Sequence, residues 1–272
     1  MIQMVRLLAA DDGEGVTEGG FEAPGPAEFD LPAAFHLGGL GVTKPMLQLV
    51  LAAVLVFWFF WAAARRGQLV PTRLQFAGES AYGMVRNSIA RDIIGSHDFM
   101  KFVPYLFALF FFILINNFFS SIPFIQFPTF SRAGMVYGLA ALSWVIYNAV
   151  GIRKHGFVGY FKLQSVPSGV SPFMYPLLVP LEFFSNILVR PVTLALRLFA
   201  NMLAGHLLAI LFTTGGLYIL EHAAPLLKPV GVLAWLLFIA IAFLEMLVQF
   251  LQAYVFTLLN AMYIQGALAD EH

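Results

Sequence analysis

The sequence predicts an all-α polytopic membrane protein: five transmembrane helices plus one membrane-surface amphipathic helix, the last two spans long and strongly tilted. Three observations predict it. Of the 272 residues, 60% are hydrophobic and 11% charged, where a soluble domain carries about 25% charged residues. The apolar residues are gathered into runs long enough to cross a hydrocarbon core of about 30 Å. The basic residues fall between those runs with a strong bias to one side.

Residues 1–44 hold seven acids (Asp11, Asp12, Glu14, Glu18, Glu22, Glu28, Asp30) among many Gly and Pro. Such a segment has too few patterned hydrophobics to fold alone. It is expected to be a flexible, acidic, extracytoplasmic arm ahead of a membrane domain at 45–272. Its opening, MIQMVRLLAA, is short for a signal peptide, so the arm is taken as mature sequence. The first span is expected at about 46–63 and is closed by Arg65 and Arg66. From 72 to 94, Leu74, Phe76, Tyr82, Met84 and Val85 alternate with Arg73, Glu79, Arg86, Arg91 and Asp92, the pattern of a helix lying on the membrane surface. A second span at about 102–119 ends in Asn116 and Asn117. After a loop with Pro123, Pro128 and Arg132, a third span at about 134–150 stops at Arg153-Lys154-His155.

Two long apolar runs follow, at about 172–213 and 229–265. As straight helices they would be about 63 and 55 Å long, so each must tilt or one must be a hairpin. Arg190-Pro191 makes a poor hairpin turn and a good kink. Two tilted helices are therefore expected. Five spans place Arg65, Arg66, Arg73, Arg86, Arg91, Lys101, Arg153, Lys154 and Lys162 on the cytoplasmic side. The N-terminus is then outside and the tail ADEH inside.

The chain is organised around residues 180–206, PLEFFSNILVRPVTLALRLFANMLAGH. Glu182, Asn186, Arg190, Thr193, Arg197 and Asn201 are spaced four, four, three, four and four residues apart. Read as a helix, they form one slowly drifting polar stripe about 28 Å long. Arg197 sits among Leu194, Ala195, Leu196, Leu198, Phe199 and Ala200. A charge at that depth costs at least ~2.5–3.5 kcal/mol on insertion scales and faces protein or water. Arginine keeps its proton where a buried lysine can lose it. It suits a site that needs a fixed positive charge and must not itself carry protons.

On the last run, Glu245, Gln249 and Gln252 share one face, with Tyr263 nearly in line. Gln249 reads equally well as interhelical glue, worth about 0.6 kcal/mol per contact. A carboxylate needs a stronger reason, and Glu245 suits a group that takes up and releases protons. His206, nine residues after Arg197, points about 180° away from it. Glu245 on the other long helix is its expected partner in a proton relay.

Several function classes are excluded. Zero net charge argues against nucleic acid, and the absence of cysteine removes thiolate catalysis and Cys-based metal sites. No HExxH, Walker loop, GxGxxG or GxSxG motif occurs. His97, His155, His206, Glu182 and Glu245 lack metal-ligand spacing. A secondary ion-coupled transporter is the alternative reading, but such folds show internal repeats and these halves are dissimilar.

Residues 191–206, PVTLALRLFANMLAGH, and 244–259, LEMLVQFLQAYVFTLL, resemble the signature segments of subunit a of the F-type ATP synthases. The likeness covers about 100–265. It implies a membrane-sector stator that offers protons two aqueous half-channels, so that their passage turns a ring of c subunits and drives ATP synthesis. On this likeness Arg197 would be the essential arginine facing the ring carboxylate, with Asn201 in the same interface. His206 and Glu245 would be the coupled channel pair, and Gln252 the glutamine opposite the arginine. Asn116 and Asn117 would line the outer half-channel, and Glu182 would mark the inner one. The implied partners are the c-ring, the b subunits of the peripheral stalk, the soluble catalytic sector indirectly, and the bilayer. Neither cofactor nor metal is implied, nor an active site within this chain. The implied location is the bacterial plasma membrane.

Overall fold

The computed structural model describes residues 24–25, 35–37, 40–65, 72–122, 128–165 and 174–269. The remainder of the arm at 1–44, Arg66, Pro123, the loop around Pro167 and Gly169, and most of the ADEH tail lie outside the described residues. A small antiparallel hairpin, β1 (Phe35–Leu37) and β2 (Leu40–Val42), precedes the first helix. The sequence pattern did not reveal it, and it is too small to alter the all-α class.

Among the described residues, five helices are long and apolar enough to cross a membrane. They are α1 (Lys44–Ala64), α3 (Phe99–Phe118), α4 (Ala133–Ser165), α5 (Tyr175–His222) and α6 (Pro225–Leu268), and they make the chain a multi-pass membrane protein. The amphipathic helix, α2, runs Arg73–Met84, widens into a π turn at Val85–Arg91 and ends at Asp92–Ile94. Thr72 caps it by accepting the Gln75 amide N–H. Gly78 lets it lie close to α1, since a Cβ there would stand 2.8 Å from that of Ala63. Gly95, at φ 93°, then turns the chain into α3.

At about 1.5 Å per residue, the 48 residues of α5 and the 44 of α6 correspond to roughly 72 and 66 Å. Both exceed the expected runs because α5 continues to His222 and α6 already begins at Pro225. The two helices pack along each other, while α3 packs on α6 and α4 on both. The core lies at their crossing: Val103, Leu106, Phe110 and Ile113 of α3 meet Leu194 and Leu198 of α5 and Phe256 and Ile264 of α6. A polar lock joins three helices there, with the Tyr105 hydroxyl 3.1 Å from Ser143 Oγ and 3.3 Å from Asn260 Oδ1.

The third span is longer than expected because α4 folds back on itself. Gly156, at φ 74°, breaks the helix directly after Arg153-Lys154-His155. The segment beyond it returns Tyr160 to the first half, where its hydroxyl donates to Asn148 Oδ1 at 3.0 Å. The ring lies so close over Gly151 that a Cβ there would be 2.1 Å away. Gly151→Ala is therefore expected to displace the ring and lower stability by about 1–3 kcal/mol, read as a lowered thermal midpoint. An unchanged midpoint would mean that the returning segment contributes nothing.

Candidate functional site: a polar path interrupted by an arginine

The polar groups of the site are positioned by a local irregularity in α5. Proline at 191 has no N–H to give the carbonyl four residues earlier, that of Ile187. The helix responds with a π turn at Ser185–Val189, where the Arg190 amide bonds back to Ser185 O. Trp144 of α4 takes over the orphaned acceptor, its indole N–H donating to Ile187 O at 2.8 Å. The kink expected at Pro191 is thus built as a wide turn stitched to a neighbouring helix.

That turn shifts the helical phase and divides the stripe into two parts, where the sequence spacing suggested one. In the first part, Asn186 Nδ2 donates to Gln164 O at 2.7 Å and to Glu182 Oε2 at 3.0 Å, so Glu182 is turned toward the end of α4. The Arg190 guanidinium lies 5.2 Å over the Tyr263 ring of α6, which itself meets Tyr147 at 5.4 Å. Gln164, Tyr160 and Asn148 extend this cluster through hydrogen bonds.

In the second part, Arg197 and Asn201 are exposed on the chain's surface while Leu194, Ala195 and Leu198 on the opposite face are buried. Among the described residues no carboxylate pairs with the Arg197 guanidinium. Thr193, also exposed, spends its hydroxyl on Val189 O and Arg190 O of its own helix. Gln252 reaches across from α6, its amide N–H 3.4 Å from the backbone carbonyl of Arg197. The structure thus sets Gln252 against the main chain of Arg197, not against its guanidinium.

A cleft on the other side of Arg197 is lined by Asn117, Asn201, Met202, Glu245, Val248, Gln249 and Gln252. It gathers four of the expected site residues. Asn117 and Asn116 are fully buried at the end of α3, and each keeps a side-chain carbonyl oxygen without a protein partner. Asn117 Nδ2 donates to Gln249 O at 3.0 Å, whereas Asn116 Nδ2 turns back to Phe112 O at 2.8 Å. Glu245 is half-buried and lodged over Gly205, where a Cβ would come 3.3 Å from its carboxyl carbon. A Cβ at 205 would require the carboxylate to give way by a few tenths of an ångström. Half-buried His206 follows Gly205 in the chain.

Sequence spacing missed Gln164, Tyr160 and Asn148, which join Glu182 through the fold-back of α4. It also missed Ser120 and Ser121, just beyond the second span, which hydrogen-bond to Gln249. The one available signal was the four-residue step from Trp144 to Asn148, which puts two polar side chains on one face of an apolar helix.

Compared with known proteins, residues 46–265 match the family model described as ATP synthase A chain. The chain belongs to this family. It is 70% identical over 263 residues to the ATP synthase subunit a of Nocardioides sp., covering 93% of this chain and 95% of that one. It is 52% identical over 268 residues to the subunit a of Pseudarthrobacter chlorophenolicus, covering 98% of both. The subunit a of Parafrankia sp. is 43% identical over 270 residues, covering 97% of this chain and 88% of that one. The likeness therefore runs well beyond the two signature segments and takes in the helices that carry every residue of the cleft.

The Trp144 bond gives a test of how this family member holds its kinked helix. Trp144→Phe is expected to cost about 1–2 kcal/mol of stability. Most of that cost should disappear in a Pro191→Ala background, where residue 191 regains its N–H. Thermal unfolding of the four proteins of this cycle reads the coupling. Equal costs in both backgrounds would show that the indole bond does not compensate the proline.

Proposed function

We propose that the chain is the stator of the ATP synthase membrane sector and that Arg197 stands between two half-channels for protons. The observation that carries this is the exposure of Arg197 on an apolar membrane helix, with a separate polar cluster above and below it. A permanent cation at membrane depth is stabilised by a counter-charge, and none among the described residues of this chain supplies one. The carboxylate of a rotating c subunit has the right charge and mobility. Asn201 borders the same face, and Gln252 holds the backbone at Arg197.

Protons enter from outside past Asn116 and Asn117, whose unpartnered carbonyl oxygens can accept hydrogen bonds from water, and pass Glu245 and His206 to the ring carboxylate. Neutralised, the carboxylate can face lipid. After nearly a full turn it releases its proton toward Glu182 and the polar end of α4. Arg197 attracts the ionised carboxylate and blocks direct flow between the two paths. Each proton crossing 100 mV delivers about 2.3 kcal/mol, so several are summed per ATP. This chain supplies the torque-generating path, and the nucleotide chemistry belongs to the soluble sector.

The b subunits of the peripheral stalk are the expected second neighbours, and the bacterial plasma membrane the expected location. The orientation proposed puts the N-terminus outside and the C-terminus in the cytoplasm, the arrangement that the basic-residue bias favours. To follow a curved ring within about 30 Å of hydrocarbon, α5 and α6 tilt steeply. The transporter alternative has no support from the family match.

The test is ATP-driven acidification of inverted vesicles containing the whole complex. Arg197→Ala and Arg197→Lys are both expected to abolish pumping while the soluble subunits stay bound. Sustained pumping by either variant would contradict the role given to Arg197.

A further inference from the structure

We infer that Gln249 is a positioning residue for the proton-carrying carboxylate, with its amide held by the serines of the turn after α3 so that one N–H points at Glu245. This rests on the proposed proton path through Glu245 and adds a residue to it. The hydrogen bonds fix which way the amide faces. Ser120 spends its single hydroxyl proton on Asn117 O at 2.9 Å. The group opposite Ser120 Oγ must therefore be a donor, and Gln249 Nε2 fills that place at 2.7 Å. Ser121 Oγ donates to Gln249 Oε1 at 3.0 Å, which agrees with the same orientation. The second amide proton is left for Glu245 Oε1, 3.3 Å from Nε2. The Gln249 backbone is held as well, because its carbonyl accepts Asn117 Nδ2.

A glutamine serving as bundle glue needs its bonds across helices, and the bonds to Ser120 and Ser121 supply them. The bond to Glu245 lies within α6, one turn away, and adds nothing to the bundle. Its consequence is local. It restricts the carboxyl to the rotamer that faces the cleft shared with Asn117, Asn201 and Gln252, and it stabilises one oxygen as the acceptor. The other oxygen is left to exchange protons. Gln249 is almost completely buried, so water cannot easily replace its N–H.

The experiment uses the intact complex in inverted vesicles, with Gln249→Met (similar volume, no amide), Ser120→Ala (amide kept, orientation released) and Arg197→Ala alongside. Proton-pumping rate is measured per assembled complex. The infrared carboxyl band of Glu245 is assigned by its absence from Glu245→Gln. Gln249→Met is expected to slow pumping about tenfold and to shift the Glu245 band, with Ser120→Ala shifting it in the same direction. Wild-type pumping by Gln249→Met, or slower pumping with an unmoved band, would reduce Gln249 to a packing residue and overturn the inference. If Arg197→Ala is silent in the same vesicles, that failure is confined to Gln249. If Arg197→Ala pumps, the proton-path reading itself fails and this inference with it.

Discussion

Everything in this chain answers to one constraint: a polar group in hydrocarbon must be matched by protein or water, and a permanent charge most of all. The helices meet it by turning their polar side chains toward one another. Tyr105 engages Ser143 and Asn260. Tyr160 engages Asn148, and Thr129 of the loop before α4 engages Gln48 of α1. Arg197 and Asn201 stand outside this pattern, on the surface of α5. An apolar helix that carries a cation outward must be met there by water or by polar groups of another protein surface.

The close approach of α5 and α6 makes this arrangement geometrically sharp. Small residues bring the helices together where large ones would hold them apart. Gly205 receives Glu245, and a Cβ on Gly231 would stand 2.9 Å from the backbone carbonyl of Gly216. The two polar clusters are consequently held by the same pair of helices that carries Arg197 between them. Along α5, Glu182 precedes Arg197 by about 22 Å and His206 follows it by about 13 Å. The proposed half-channels use that offset, with Arg197 between them.

Much of the fold was legible from sequence because hydrocarbon imposes long apolar runs, and those runs set the five spans and the surface helix. The charge at Arg197 and the face of Glu245, Gln249 and Gln252 were legible for a related reason: polar residues are conspicuous against apolar neighbours. What spacing could not show was a change of helical phase. The π turn before Pro191 depends on an indole from α4, so the stripe from Glu182 to Asn201 looked continuous when it is split. The return of Tyr160 onto Gly151 depended on one positive φ at Gly156, inside a run whose charges suggested only a span end. That Gln249 bonds Ser121 and Ser120 could not be read from spacing, because those partners sit 128 and 129 residues away in sequence.

The measurement that reaches the central claim most directly is disulfide cross-linking across the proposed rotor interface. The chain contains no cysteine, so one placed at Asn201, a turn from Arg197, reports its own neighbour. A second cysteine would sit beside the carboxylate of the c subunit, with Phe57→Cys on the exposed face of α1 as the comparison position. The account expects rapid cross-linking from position 201 and none from position 57. Cross-linking from 57 with none from 201 would place the ring against a different face and contradict the role assigned to Arg197.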